Sequence, residues 1–288
     1  MSGLPRRQTQ QVITHRRRCA LPLRLWLVVA TVSALQLGLA GCGGSKTDEV
    51  WQRIQAQGVW RVGMEPTWVP FEYVDGTGQL TGFDVELARE LSRRLGLEVH
   101  FVANLGFDGL YDGLTAGQAD AVISAVVVDD SRRADFAFSR PYFEAGQVLV
   151  VGPPSAGIET QEDLRGRVLA VELGSDGDAL ARRWRSRWSN LELLHTDSAQ
   201  AALAAVADGR ADAALTDRAT ALLALKAANN AGAGFGGLRL VGKPVTAEQY
   251  AIAVRRESRD LLRALNTALA DMQRDGALQE LERKWLGP

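Results

Sequence analysis

Residues 117–124 read Gly-Gln-Ala-Asp-Ala-Val-Ile-Ser, and residues 209–216 read Gly-Arg-Ala-Asp-Ala-Ala-Leu-Thr. Both segments contain Gly-x-Ala-Asp-Ala, follow an amphipathic helical pattern and run into an apolar strand. The repetition predicts two lobes of related design, although the high alanine content increases chance similarity. The two strands would end at Ala125 and Asp217. Because ligands of open α/β sheets bind at the carboxyl ends of strands, we expect these residues on opposite walls of one cleft.

Strand and helix patterns alternate around both segments. Helices are predicted over 48–57, 84–95, 107–116, 178–188 and from Ser198 onward. Strands are predicted over 59–64, 97–102, 121–127, 168–172, 191–195 and 211–216. This alternation is typical of α/β lobes with largely parallel sheets.

Two isolated β-rich segments, 146–151 and 248–254, look like crossings between the lobes. A pair of crossings would form a hinge and would make the first lobe discontinuous. We therefore expect lobe 1 to consist of 48–145 plus 251–288, and lobe 2 to consist of 146–250.

The amino-terminal residues 1–41 are predicted to be a signal peptide. A basic start is followed by an apolar run, Leu25 to Ala40, that is too short for a comfortable membrane span. The run closes with Leu39-Ala40-Gly41-Cys42, which resembles the lipobox of bacterial lipoproteins. That resemblance implies cleavage before Cys42 and lipidation of its thiol, with 42–47 as a tether to a membrane. An ordinary secretion signal or an uncleaved anchor is the alternative.

Composition argues against several functions. The net charge is -1 and the dense basic run belongs to the leader, so no nucleic-acid partner is expected. The two cysteines are Cys19 and Cys42, and Cys19 would leave with the leader. His15, His100 and His195 are far apart in the sequence, so neither a metal nor another cofactor is expected.

Aromatic residues and one arginine between Trp60 and Phe143 favour a pocket for a small molecule that carries a carboxylate. Arg132 offers a planar fork of donors that can pair with both carboxylate oxygens. Trp68 and Phe107 would exclude water and so strengthen that pairing. The alternatives are that both rings belong to the core and that Arg132 is a surface ion-pair partner.

Several motifs resemble those of the bacterial extracellular solute-binding proteins, family 3, the periplasmic receptors of polar amino-acid importers. The motifs are 61–65, 69–73, 80–84, Ser131-Arg132, Asp135-Phe136 and 141–143, and the likeness runs from about Asp48 to Trp285. The resemblance implies a type II, two-lobed periplasmic binding protein fold, with two mostly parallel sheets joined by a two-strand hinge. It also implies a monomeric, non-enzymatic receptor that delivers an amino acid to an ABC transporter permease.

The resemblance assigns roles to positions of the first lobe. Trp68 and Phe107 would sandwich the ligand, and Arg132 would clamp its α-carboxylate. Ala125 would offer its carbonyl to the ligand ammonium, and the Val127 amide would face the carboxylate. Val127 stands where the family usually has Thr or Ser, so one hydroxyl contact is missing.

In the second lobe, Ser175 and Asp176 occupy the loop before a helix where the family donates to the carboxylate, and Asp217 falls on the acid that pairs with the ammonium. Asp176 replaces a common Thr or Gly, and Glu65 and Glu172 are also expected near the cleft. These acids suggest a cationic ligand such as arginine, lysine or a related amine. Alternatively, Asp176 only caps its helix and the two glutamates lie in solvent at the rim.

Two other functions remain open at the level of sequence. Some proteins that resemble this family are cyclohexadienyl dehydratases, in which Glu172 or Asp176 would be candidates for the general acid. Formation of an aromatic keto acid from prephenate or arogenate would reveal that activity. A ligand-sensing protein that docks to a separate receptor is the third possibility.

Overall fold

The computed structural model of the protein describes residues 48–231 and 237–287. The predicted signal peptide, the tether and Cys42 lie outside the described residues. Among the helices of the described ranges, none is long and apolar enough to cross a membrane.

The described chain alternates short strands and helices. In the first half the elements are α1 (Glu49–Gln57), β1 (Val59–Gly63), β2 (Thr67–Trp68), β3 (Glu72–Val74), β4 (Leu80–Thr81), α2 (Phe83–Leu95), β5 (Glu98–Val102), α3 (Leu110–Thr115), β6 (Ala121–Val122), β7 (Phe136–Phe138) and β8 (Phe143–Glu144). In the second half they are β9 (Gln147–Val151), β10 (Val168–Glu172), α4 (Asp176–Arg187), β11 (Glu192–Thr196), α5 (Ala199–Ala207), β12 (Ala213–Asp217), α6 (Arg218–Ala231), β13 (Arg239–Val241), β14 (Gln249–Tyr250), β15 (Ala253–Arg255), α7 (Arg259–Asp275) and α8 (Ala277–Trp285).

Two five-stranded sheets organise the chain into two lobes. The first has the order β5-β1-β6-β15-β7, and the second has the order β11-β10-β12-β9-β13. In each sheet the first three strands pair in parallel. The fourth strand, β15 or β9, pairs antiparallel with both of its neighbours. The predicted α/β class and type II two-lobed binding-protein fold are therefore confirmed, with antiparallel pairings completing each sheet.

The chain passes twice between the sheets. Strand β9 belongs to the second sheet and β15 to the first, so the chain crosses just before each of them. At this point β8 and β14 pair antiparallel, with Phe143 opposite Tyr250 and Glu144 opposite Gln249. The predicted crossing segments thus extend into the sheets, and the ribbon between the lobes is β8 with β14.

The repeated Gly-x-Ala-Asp-Ala segments have the same local structure. Gly117 and Gly209 both adopt left-handed conformations at the end of a helix. Asp120 Oδ2 accepts from the Arg61 amide at 2.8 Å, and Asp212 Oδ2 accepts from the Val168 amide at 2.9 Å. The predicted internal repeat is confirmed, since each aspartate joins the same two neighbouring strands of its sheet at their amino ends.

Three predicted element boundaries differ from the structure. The strand predicted over 121–127 ends at Val122, because Ala125 has φ 44° and leaves the extended conformation. The helix predicted over 107–116 begins with a separate 3₁₀ turn at Phe107–Gly109. Helix α4 begins at Asp176 rather than Asp178, because the Ser175 side chain caps it by accepting from the Asp178 amide.

Apolar residues cover both faces of each sheet. On the first sheet, one face packs against α2, α7 and the aromatic cluster described below, and the other packs against α3. On the second sheet, α4 and α5 cover opposite faces. Helix α6 follows β12 of the second sheet, yet its Ala219 and Leu222 pack into the core of the first lobe. Arg218 at its start forms an ion pair with Glu282 of α8.

Candidate functional site

A cavity of about 370 Å³ lies at the carboxyl ends of strands of the first sheet. Trp68 and Phe107 line it with exposed rings, 55% and 60% accessible respectively. Residues 124, 125 and 127, which follow β6, contribute another wall. The volume falls within the usual range for small-molecule sites, in which apolar walls surround a few polar groups. The sequence predictions for Glu65, Trp68, Phe107, Ala125 and Val127 thus concern residues that share one cavity.

Other lining residues were missed by the sequence reasoning. They are Thr67, Glu72, Ser124 and Tyr250. Glu72 belongs to the quoted motif 69–73, and Ser124 directly precedes Ala125, so their positions could have suggested them. Tyr250 comes from the second crossing strand, and its place beside Val127, with which it forms a β-bridge, required the fold.

A cluster of buried aromatic rings lies behind Tyr250. Phe71 makes edge contacts with Phe83, Phe143 and Tyr250, with ring centroids 5.2–5.8 Å apart. Such arrangements are favourable for aromatic rings, which carry a negative face and a positive edge. The cluster therefore packs against the β8–β14 ribbon at the edge of the cavity.

Carboxyl groups form the polar floor of the cavity. Ser124 Oγ accepts from the Glu65 amide at 3.0 Å and donates to Glu72 Oε1 at 2.7 Å. Burial, reinforced by the charge of Asp84, raises the pKa of Glu72 to about 11. Burial also raises the pKa of Asp84 to about 6, although hydrogen bonds from Ala125 and Tyr142 oppose that shift. Glu72 is therefore neutral near pH 7.

Arg132 lies outside this cavity. Its guanidinium is stacked on the Tyr111 ring at 4.1 Å from the centroid, and its Nε is 3.5 Å from Asp129 Oδ2. It lines a separate open groove with Tyr111, Asp135 and Phe136, among others. The side chain is 48% exposed, so it keeps freedom to reorient.

The second-lobe residues lie on loops that begin helices. Ser175 Oγ donates to the Glu172 carbonyl at 2.8 Å and accepts from the Asp178 amide, while Asp176 is exposed at the first position of α4. The Asp178 carboxylate also stabilises this loop, because its Oδ2 accepts a hydrogen bond from the Gly174 amide at 3.0 Å. The amino-terminal end of α4 carries the positive end of the helix dipole, which favours an anionic group nearby.

Asp217 ends β12 and caps α6. Its Oδ1 accepts from the Thr220 amide at 2.8 Å. Burial, together with the charge of Asp217, raises the pKa of the Tyr250 hydroxyl, which places Asp217 within electrostatic range of this cavity residue. The structure thus brings the lobe 1 candidates other than Arg132 together, while Arg132, Ser175, Asp176 and Asp217 lie outside the cavity.

Two lobes built on sheets of this strand order, with an aromatic-lined cavity at the strand ends, define the class of two-lobed solute-binding proteins. The family model described as bacterial extracellular solute-binding proteins, family 3, matches residues 60–288. The chain belongs to this family of solute-binding proteins, and the named curated relatives are binding proteins rather than enzymes.

Named relatives bind amino acids. The chain is 33% identical over 237 residues to the L-cystine-binding protein TcyJ of Escherichia coli K12, and this match covers 82% of this chain and 85% of that protein. It is 30% identical to the lysine/arginine/ornithine-binding periplasmic protein of the same strain, over 78% of this chain and 86% of that one. The unliganded open L-cystine receptor of Neisseria gonorrhoeae superposes with a TM-score of 0.72 at 30% identity, covering 83% and 97% of the two chains.

Proposed function

We propose that this protein is the lipid-anchored, extracytoplasmic receptor of an ABC importer, and that it binds an amino acid between lobe 1 (48–145 plus 251–288) and lobe 2 (146–250). The cavity lined by Trp68 and Phe107 at the strand ends is the observation that supports this proposal most strongly. Lipidation of Cys42 would hold the receptor at the membrane, where its closed form would be presented to the permease.

Closure of the lobes would assemble the rest of the site. In the structure Arg132 and Asp217 lie outside the cavity, and β8 and β14 form the ribbon about which the lobes would turn. A ligand that contacts both lobes binds the closed state more tightly and so shifts the population toward it. Arg132 would then leave Tyr111 to pair with the α-carboxylate, and Asp217 would pair with the ammonium.

The ligand class we propose is an amino acid that carries a second ammonium or guanidinium group. Arginine and lysine have this feature in their side chains, and L-cystine has it because it contains two α-amino groups. Glu65 lies in the cavity wall and is not engaged through its carboxylate by any hydrogen bond among the described residues. Its carboxylate would pair with the additional cation.

A thermal-shift and calorimetric panel tests the proposal. We expect L-arginine, L-lysine or L-cystine to raise the melting temperature of the mature chain, and L-leucine and L-glutamate to leave it unchanged. Glu65→Gln should weaken binding of the stabilising ligand about tenfold, because a charged hydrogen bond contributes about 1.5–3 kcal/mol. Glu98→Gln, which changes an exposed glutamate at the amino end of β5, is the matched control. Stabilisation by leucine or glutamate, without a response to L-arginine, L-lysine or L-cystine, would contradict the ligand class.

A further inference from the structure

Two buried carboxyl groups lie directly beneath the cavity. Glu72 is 1% exposed, and Asp84, at the start of α2, is fully buried. Glu72 Oε1 accepts from Ser124 Oγ. Asp84 Oδ2 accepts from the Ala125 amide at 2.7 Å and from the Tyr142 hydroxyl at 2.9 Å. Both carboxyl groups are therefore attached to residues 124 and 125, which form the cavity wall.

The remaining oxygens of the two groups require a proton between them. Glu72 Oε2 and Asp84 Oδ1 are both buried, and neither oxygen has a hydrogen-bond partner among the described residues. Each carboxyl group shifts the pKa of the other, so the two groups are close neighbours. Two carboxylates offer no donor to each other, so these oxygens can satisfy one another only if one of the two groups is protonated. Burial, reinforced by the charge of Asp84, raises the pKa of Glu72 further than burial raises that of Asp84, so we assign the proton to Glu72.

The bond from Asp84 to Ala125 holds an unusual backbone. Ala125 has φ 44°, and within the described ranges it is the residue other than glycine with a positive φ. The Cβ of an L-residue disfavours this conformation, so surrounding contacts must maintain it. The Asp84 carboxylate supplies one of these contacts by accepting the Ala125 N–H.

We propose that Glu72 and Asp84 are positioning residues that share one proton and thereby hold the Ser124–Ala125 backbone in the conformation that receives the ligand. The inference rests on the proposed function in that it takes Ala125 as a ligand contact. Loss of the Glu72 hydroxyl donor leaves Asp84 under-bonded and free to shift, and the Ala125 peptide moves with it.

Calorimetric titration with L-cystine and with L-arginine at pH 7.5 tests this role. We expect Glu72→Ala to weaken the tighter of the two interactions about tenfold, as is typical when a buried polar partner is left unsatisfied. Glu72→Gln should recover most of that loss, because its amide donates toward Asp84 and its carbonyl accepts from Ser124. Glu98→Ala and Glu98→Gln are the matched controls. If Glu72→Gln binds as weakly as Glu72→Ala, the positioning role is refuted.

A double-mutant cycle with Ala125→Gly separates positioning from general support of the fold. Glycine adopts a positive φ without strain, so its backbone depends less on the Asp84 bond. We expect Glu72→Ala to weaken binding less in the Ala125→Gly background than in the parent, by at least threefold. Equal losses in both backgrounds would mean that Glu72 does not act through Ala125.

The shared proton has a readout that needs no ligand. In the folded protein Glu72 keeps a proton that the unfolded chain loses above about pH 4.5, so stability declines as pH rises toward the raised pKa. Between pH 6 and 9 the melting temperature of the parent should therefore fall relative to that of Glu72→Gln, while Glu98→Gln should follow the parent. The other titratable groups that face the pair are Glu65, Tyr142 and Tyr250, which both variants retain.

The shared proton and the proposed ligand class can be refuted independently of each other. Identical pH slopes for the parent and Glu72→Gln would show that Glu72 is ionised and would overturn the shared proton. If the slopes differ but the parent binds neither L-cystine nor L-arginine, the proposed ligand class fails while the proton-sharing pair stands.

Discussion

The guanidinium of Arg132 lies 4.1 Å from the centre of the Tyr111 ring and lines a groove separate from the cavity formed by Trp68 and Phe107. A cation over an aromatic face is favourable by about 0.5–1 kcal/mol at an exposed site. A bidentate pair with a carboxylate is stronger, so a ligand could draw the side chain from Tyr111. We therefore expect the Tyr111 ring to hold the Arg132 side chain in this orientation until a ligand binds.

Arg132→Ala is therefore expected to weaken amino-acid binding about 100-fold, since two charged hydrogen bonds would be lost. Ligand-induced thermal stabilisation should therefore be much smaller than in the parent at the same concentration of arginine. Arg133→Ala is the matched control, because Arg133 is the neighbouring exposed arginine that pairs with Asp130. A parental response in Arg132→Ala would show that the carboxylate is bound elsewhere.

The lowered pKa of Asp178 predicts that this residue contributes to stability in a pH-dependent way. Hydrogen bonds from Arg182, then from the Gly174 amide and His195, hold the pKa of this buried carboxyl well below its usual value despite the opposing effect of burial. A lowered folded pKa gives stability that is present above about pH 4 and is lost as pH falls. Asp178→Asn should reduce the free energy of unfolding by about 1–3 kcal/mol at pH 7.

The difference between parent and Asp178→Asn should shrink below pH 4, which urea titrations at several pH values would measure. Asp176→Asn is the control, since its side chain is exposed on the same turn. A difference that is constant down to pH 2.5 would contradict the role of the Asp178 charge.

Gly82 connects two of the quoted motifs. Its φ is 131°, and a Cβ at this position would lie 2.1 Å from the Phe71 carbonyl oxygen. The close approach permits the Phe83 amide to donate to the Pro70 carbonyl at 2.9 Å and the Asp84 amide to donate to Phe71 at 2.8 Å.

Gly82→Ala should destabilise the fold by at least about 2 kcal/mol, because both the backbone angle and the space exclude a methyl group. Thermal unfolding would measure this loss. Gly76→Ala, at a site with open space around it, should change stability little. Equal melting temperatures for the two variants would show that the backbone at Gly82 adapts easily.

Asp120 and Asp212 should contribute differently to the free energy of unfolding, although they occupy equivalent positions in the two repeated segments. Asp120 is fully buried and pairs with Arg53 and Arg61, whereas the Asp212 side chain is 26% exposed and pairs with the half-exposed Arg167. Removing one partner of a buried pair costs about 3–5 kcal/mol, and an exposed pair contributes about 1 kcal/mol or less. Asp120→Ala should therefore lower the urea midpoint clearly more than Asp212→Ala. A larger effect of Asp212→Ala would contradict this account.

The repeat and the alternation of strands and helices predicted the fold because they reflect local periodicity and turn chemistry. Gly117 and Gly209 mark left-handed turns, and Ser198 caps α5 as its position before an alanine-rich helix indicates. The strand predicted through Val127 was wrong past Val122, because the left-handed Ala125 depends on Asp84, which is 41 residues away in sequence. Such a long-range contact leaves no mark in the local pattern.

The site could be predicted in part. Trp68 and Phe107 were identified from their aromatic character and the family resemblance, and both line the cavity. The proton shared by Glu72 and Asp84 could not be inferred, because the motifs 69–73 and 80–84 do not indicate that their two acids are buried next to each other. The contact of Arg132 with the Tyr111 ring joins residues that are 21 positions apart in the sequence, so no local pattern indicates it.

Asp120 and Asp212 both precede their strands, and in the first sheet the cavity residues follow theirs, so there the folding anchor and the proposed binding residues occupy opposite ends of one sheet. This separation makes the scaffold suitable for engineering as a biosensor. Substitutions at Glu65, Trp68 or Phe107 could be combined in a library for new analytes, and a fluorophore near the β8–β14 ribbon would report closure, without disturbing either anchor.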